Sequence, residues 1–349
     1  MQPFNIIPWE RGHFDRQQSL ILEIEKLYAK YQREYIKLGY STKFNSTTKR
    51  FAFQNYPQLK KKINELMLAM QKEVVATIEQ GQAEQWIYAN EKQDAFLKHV
   101  LGNKLALVPK SYFARNLQAL NAFKIRKDGG LGLSDRVWNQ TKQFRQEMEL
   151  ALDVGLDGRS AAKLANDVKI LLKEPDKLFR RVRDKHGNLK LSSTAKAYHP
   201  GQGVYRSSYK NAERLARTEI NMAYRTADHL RFMAMDFIVG FEVKLSNRGD
   251  SCPMCVALAG KYPKKFLFRS WHSNCRCYVI AILSTEDEFF DSLKDNYKEV
   301  VSENTIKKPH KGFYDWLEEN KERIKKAKST PYFVGDNPKY FKGIRDNTT

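Results

Sequence analysis

Through the first half of the chain, apolar residues recur every three to four positions, the period of a helix that buries one face. Between Gln17 and Leu38 they fall at Leu20, Ile24, Leu27, Tyr28, Tyr31, Tyr35 and Leu38, and Gly39 stands where a left-handed cap would end the helix. A second stripe, Leu59, Ile63, Leu66, Met67, Met70, Val74 and Ile78, predicts a helix from Pro57 to Gln80, closed by Gly81. A third carries Trp86, Phe96 and Val100, and a fourth runs from Pro109 to Phe123. Asp128-Gly129-Gly130 and Gly132 make a turn, after which Ser134 caps a long helix bearing Val137, Trp138, Phe144, Met148 and Leu152. Ser160 opens another through Leu164, Val168 and Leu171, stopped by Pro175. Residues 1–15 hold aromatics and prolines without periodicity and read as an arm that docks on something.

The pattern then changes. Residues 184–204 mix glycine, serine and proline with little periodicity and predict a linker or exposed loop, in which His186 and His199 face solvent. The longest helix follows, Ser207 to about Asp236, with Leu215, Met222, Ala223, Leu230 and Met233 on its apolar face. Arg214, Arg217, Glu219, Arg225, Asp228 and Arg231 are spread along it. Arg217 or Glu219 is either a buried group orienting the next loop or a solvated helix charge. Residues 237–245 (FIVGFEVKL), 266–268 (FLF) and 277–283 (CYVIAIL) have strand composition. Ser284 with Asp287 marks a helix start. A further helix puts Phe313, Trp316, Leu317 and Ile324 inward. The tail pairs Tyr332-Phe333 and Tyr340-Phe341 suggest an arm that folds on a partner. The fold class expected is a mainly α N-terminal region, a small α+β module with a Cys/His zinc-knuckle-like loop, and a helical C-terminal tail. The expected boundaries are 1–183, 184–204, 205–285 and 286–349.

Composition adds charge to this picture. With 349 residues and 42% hydrophobic content, the chain is long and apolar enough for two or three folded domains. No apolar run approaches the roughly 20 residues of a membrane helix, so no membrane partner is expected. The first residues lack the basic and apolar regions of a secretory signal. A formal net charge of +21 calls for an acidic neighbour, and duplex DNA contacted without sequence preference is the expected one.

The chemistry is concentrated in one stretch. All 4 cysteines, Cys252, Cys255, Cys275 and Cys277, lie between Asp250 and Cys277, and one of the 7 histidines, His272, lies with them. C-x-x-C, a spacer from Val256 to Trp271, then H-x-x-C-x-C is the spacing of a structural zinc site, two close ligand pairs brought together by a turn. Five donors for four places allow four thiolates, or three with the imidazole. One or two disulfides, or four reduced thiols without metal, are the competing readings. Clustering in one corner favours the metal over a disulfide framework.

The run from Ala212 to Cys277 also resembles the phage Mu F-like head morphogenesis (minor head) proteins. That family carries an R-T-E element on a long helix, a short strand, D-x-C-x-x-C, a G-K turn and H-x-x-C-R-C. The matching residues are Arg217, Thr218, Glu219, Asp250, Cys252, Cys255, Gly260, Lys261, His272, Cys275, Arg276 and Cys277, with Asn274 before the last pair. Ser273 stands where the family commonly has proline. The resemblance implies a minor capsid protein of a tailed phage or prophage. It would associate with portal and capsid proteins and act in head morphogenesis and DNA delivery. It would reside in the virion interior, and in the host cytoplasm during assembly.

Signatures of catalysis do not appear: there is no H-E-x-x-H, nucleophile elbow, Walker loop or dinucleotide fingerprint. The glycines of KDGGLGLS lack phosphate-loop spacing. No enzyme activity and no small-molecule substrate are expected. The alternative is a zinc-containing nucleic-acid-processing protein, nuclease-like, in which His272 and Asn274 would be part of an H-N-H arrangement.

Overall fold

The computed structural model describes residues 4–42, 51–155, 160–173, 181–183, 185–186, 189–191, 207–246, 252–294, 300–327 and 330–344. Helices dominate the N-terminal part: α1 (Ile7–Tyr40), α2 (Pro57–Leu101), α3 (Leu117–Ile125), α4 (Leu133–Gly155) and α5 (Ala161–Lys173). A backbone hairpin β1 (Arg181–Arg183) and β2 (Leu189–Leu191) precedes α6 (Ser208–Ala234). The α+β part holds β3 (Ile238–Lys244), α7 (Pro253–Leu258), β4 (Gly260–Pro263) and β5 (Tyr278–Leu283). The chain ends with α8 (Glu286–Lys294), α9 (Lys311–Lys326) and α10 (Tyr332–Asp336). This is the expected fold class. The expected linker at 184–204 lies largely outside the described residues.

The chain divides into two compact units, one of Met1–Gln17, Gln80–Ile125 and Arg217–Thr349, the other of Gln18–Glu79 and Arg126–Ala216. Among its described residues, the second unit's regular structure is helical apart from the β1–β2 hairpin and an Asp128–Leu131 bridge, and its core is aromatic. Tyr28 and Tyr35 meet Phe144 edge-on at 5.1 and 5.5 Å, and Tyr35 meets Phe53 at 5.6 Å. Here the start of α6 is capped from another helix, since Ser208 N–H donates to Glu147 Oε1 at 2.7 Å and its hydroxyl bonds the other carboxylate oxygen.

The first unit holds the sheet, order β4-β3-β5, antiparallel throughout. A bulge falls between Ile238 and Gly240. It frees the Val239 carbonyl, which accepts from Ile306 N–H at 3.2 Å. A Cβ on Gly240 would lie 2.6 Å from Ile306, so only glycine admits this crossing segment. Phe237, Phe241, Val243, Leu258, Tyr262, Phe266, Phe268 and Trp271 form the core with Phe313, Phe333 and Phe341 from the C-terminal helices.

Several expected boundaries move. Residues 7–15 are helical and bury Glu10 and His13, so they are not a free arm. α1 ends at Tyr40, one residue past Gly39, whereas Gly81 lies well inside α2, because burial of the neighbouring faces outweighs the weak helix propensity of one glycine. A 3-10 turn (Lys110–Phe113) precedes α3, so that helix begins later than expected. Phe266–Phe268 form no strand; Gly260–Pro263 pair with β3 instead. The start of α8 is a capping box of Thr285 and Glu288, one residue past the expected pair. The tail aromatics Phe333 and Phe341 are buried within this unit rather than left for a partner.

Candidate metal centre

Cys252 occupies the N-cap of α7, where its sulfur accepts the Cys255 N–H at 3.3 Å, and Pro253 at the first helical position fixes the turn. The C-x-x-C pair is thus presented by one helical turn. The second half comes from the loop between β4 and β5. A bond from Cys275 N–H to His272 O at 3.1 Å closes a turn, with Asn274 at φ 61° supplying the left-handed residue. Cys277 directly precedes β5, which anchors it to the sheet.

All five predicted donors converge. His272 Nε2 lies 3.2 Å from Cys252 Sγ and 3.1 Å from Cys255 Sγ, and Cys255 Sγ lies 4.0 Å from Cys275 Sγ. Two triads, Cys252–Cys255–His272 and Cys255–Cys275–Cys277, share Cys255 and could hold a metal ion. None of the cysteines is in a disulfide. Cys255, Cys275 and Cys277 are buried, while Cys252 and His272 are partly exposed.

The pairwise separations within the two triads suit a tetrahedral metal, although no four of the five donors all lie within 4.8 Å of one another. Ligands about 2.3 Å (sulfur) and 2.0–2.1 Å (nitrogen) from zinc stand roughly 3.5–3.8 Å apart around a tetrahedron, and the separations here, 3.1 to 4.0 Å, straddle that range. His272 Nδ1 lies 2.7 Å from Ser273 O. That carbonyl only accepts, so Nδ1 carries the proton and the Nε2 lone pair is left for the sulfur-lined site. Cys275 is held well below the ordinary thiol value, first by hydrogen bonds from Cys255 and Cys277 and also by the Trp271 backbone N–H. Cys255 is pushed up, first by its hydrogen bonds with Cys275 and Cys277 and also by burial.

The loop is fastened to α6. Glu219 is buried and accepts from Gln82 Nε2 at 2.8 Å, while Arg217 is partly exposed. The tie to the loop is Asn221 Nδ2, donating to Arg269 O at 3.3 Å. Asp250 lies outside the described residues.

Sequence reasoning missed a buried ionic cluster on the same helix. Arg225 grips Glu10 with both guanidinium nitrogens, at 2.8 and 2.5 Å. Lys92 reaches Asp228 at 2.5 Å and Glu10 at 3.4 Å. His13 stacks on Tyr224 at 4.0 Å and meets Gln85 and Asn221. Asn221 thus joins this cluster to the cysteine loop. Cys277 is pushed up: its hydrogen bond with Cys255 lowers it, but the hydrogen bond with Cys275 and burial outweigh that, and Arg225 opposes them only in part.

Comparison with family models, with curated proteins and with solved structures found no match.

Proposed function

We propose that this chain is a minor head protein of a tailed phage or prophage whose cysteine loop is stapled by a structural zinc ion. The observation that carries the zinc is the convergence of five donors, four of them thiols, on one cluster without a disulfide. Thiolate-rich sets suit zinc, and a closed set leaves no open position for a substrate or activated water. When bound, the metal supplies folding free energy. The residues do the rest: Cys252 and Cys255 from α7, and His272, Cys275 and Cys277 from the β4–β5 loop, cross-link a segment that has little regular structure of its own. The nuclease-like alternative needs a free His272, but its lone-pair nitrogen faces two sulfurs.

The head assignment rests on the ordered residues of the resemblance, Arg217 to Cys277, together with the basic charge. Purified, reduced protein should carry about one zinc per chain by elemental analysis. A metal-free preparation with oxidised cysteines would overturn the zinc. For the head role, the tagged chain should retain the portal ring encoded in the same genome when the two are co-expressed. Failure to retain it, with DNA nicking in magnesium or manganese, would favour the nuclease-like reading.

A further inference from the structure

The C-terminal strap, residues 330–344, is anchored through its polar groups to the loop that leads into the metal centre. Asn337 makes the central contact. Its Oδ1 accepts from Leu267 N–H at 2.8 Å, and its Nδ2 donates to Leu267 O and Phe333 O, each at 2.9 Å. A side-chain amide thus pairs with both the N–H and the carbonyl of one residue in a segment with no strand of its own. Two residues on, Arg269 grips Asp336, with Nε at 2.7 Å from one carboxylate oxygen and Nη2 on the other. Phe333, fully buried, meets the Trp271 ring edge-on at 5.4 Å. Trp271 directly precedes His272.

We infer that Asn337 and Asp336 are outer positioning residues of the metal centre, and that metal occupancy and strap docking are thermodynamically coupled. This rests on the metal reading above. The physical reason is that both use the same segment, 267–275. The metal fixes one end of it through His272 and Cys275, and the strap fixes the other through Leu267, Arg269 and Trp271. Whichever binds first lowers the ordering cost for the second, and the coupling must be reciprocal. Outer partners of ligating side chains alter metal affinity about 10–100-fold when removed. Neither Asn337 nor Asp336 has a ligating role here, so such an effect could reach the metal only through the segment.

The experiment uses the full chain. Zinc affinity is measured by competition with a chromophoric chelator for the wild type, Asn337→Asp and Asp336→Asn, with far-UV circular dichroism to verify folding. Asn337→Asp keeps the size and the acceptor but removes both amide donations, and it should bind zinc about tenfold more weakly. In the wild type, zinc removal should open chymotryptic cleavage after Phe333 or Phe341, and zinc return should close it. A wild type that binds zinc while both variants bind it equally tightly would overturn the coupling alone. So would a strap equally protected with and without zinc. A wild type with no zinc affinity would overturn the metal reading and the coupling with it.

Discussion

The Cys252–Cys255 pair and the Glu10–Arg225 pair sit at opposite ends of what single residues reveal about themselves. Cysteine is rare, so four in one stretch announce a cluster whatever the fold. Glutamate and arginine are common on wet helices, and nothing in a helical period separates a solvated charge from a buried one. Glu10, Lys92 and Asp228 are brought together across separations of 82 and 136 positions, which no local pattern encodes. The two kinds of site should respond differently to substitution. Cys252→Ser or Cys275→Ser should abolish zinc binding. Either should also unfold the cysteine module, because the metal's contribution to small modules is on the order of 10 kcal/mol. Helices of the second unit should persist by circular dichroism and limited proteolysis. Removing one partner of the buried ionic cluster, as in Glu10→Ala, should cost about 3–5 kcal/mol in denaturant unfolding, because Arg225 would lose its two-nitrogen partner and Asp228 alone would face both buried bases. Lys30→Ala, in a half-exposed pair with Glu73, should cost less than about 1 kcal/mol.

Elements were legible where one face is apolar and the ends are marked. The cores of α1, α2, α4, α5, α6 and α9 follow the apolar period, and β3 and β5 follow their β-branched runs. Punctuation was less reliable: Gly39 marks the end of α1 to within one residue, but Gly81, which looked like an end, is tolerated within α2. The first turns of α1 were missed because their inward residues, Glu10, His13 and Gln17, are polar. Those turns have a pH signature. Burial lowers the pKa of His13 to about 4, with Arg225 adding to the effect. His229 is likewise lowered to about 4 by burial, with help from Arg269 and Lys264. Both folded-state values lie below the ordinary 6.5, so the unfolded chain takes up these protons first as pH falls. Stability is therefore lost from pH 6.5 down to 4, by up to about 1.4 kcal/mol per pH unit for each histidine. Burial alone would raise Glu10, but Arg225 and Lys92 overcome it and bring it down to about 2, so its contribution fades between pH 4.5 and 2. Thermal melts from pH 7.5 to 4 should show the decline, and His13→Gln should reduce its slope by about half. An unchanged slope would mean that His13 is already charged in the folded chain.

At the scale of the whole molecule the dominant property is charge, with Lys and Arg exceeding Asp and Glu by 61 to 40. The internal ion pairs account for little of that excess, since each neutralises a base with an acid. On the reading proposed above, an acidic partner would meet the surplus. Among the described residues, Lys261, Lys265, Arg276, Lys307, Lys308 and Lys311 are exposed on the cysteine-bearing unit, and Lys60, Lys61 and Lys62 on the other. None belongs to a helix with base-reading character, so contact with duplex DNA should be to phosphates and indifferent to sequence. Each neutralised phosphate releases about 0.9 of a counterion. For a surface engaging about five phosphates, the slope of log affinity against log salt should therefore be roughly −4 to −5. Fluorescence anisotropy with two unrelated duplexes between low and half-molar salt would measure it. Equal affinities that collapse along that slope are the expected result. Binding that survives half-molar salt, or that prefers one duplex strongly, would contradict phosphate contact and point to nucleic-acid processing. No binding at low salt would direct the charge instead to acidic protein surfaces, such as those of a portal or shell.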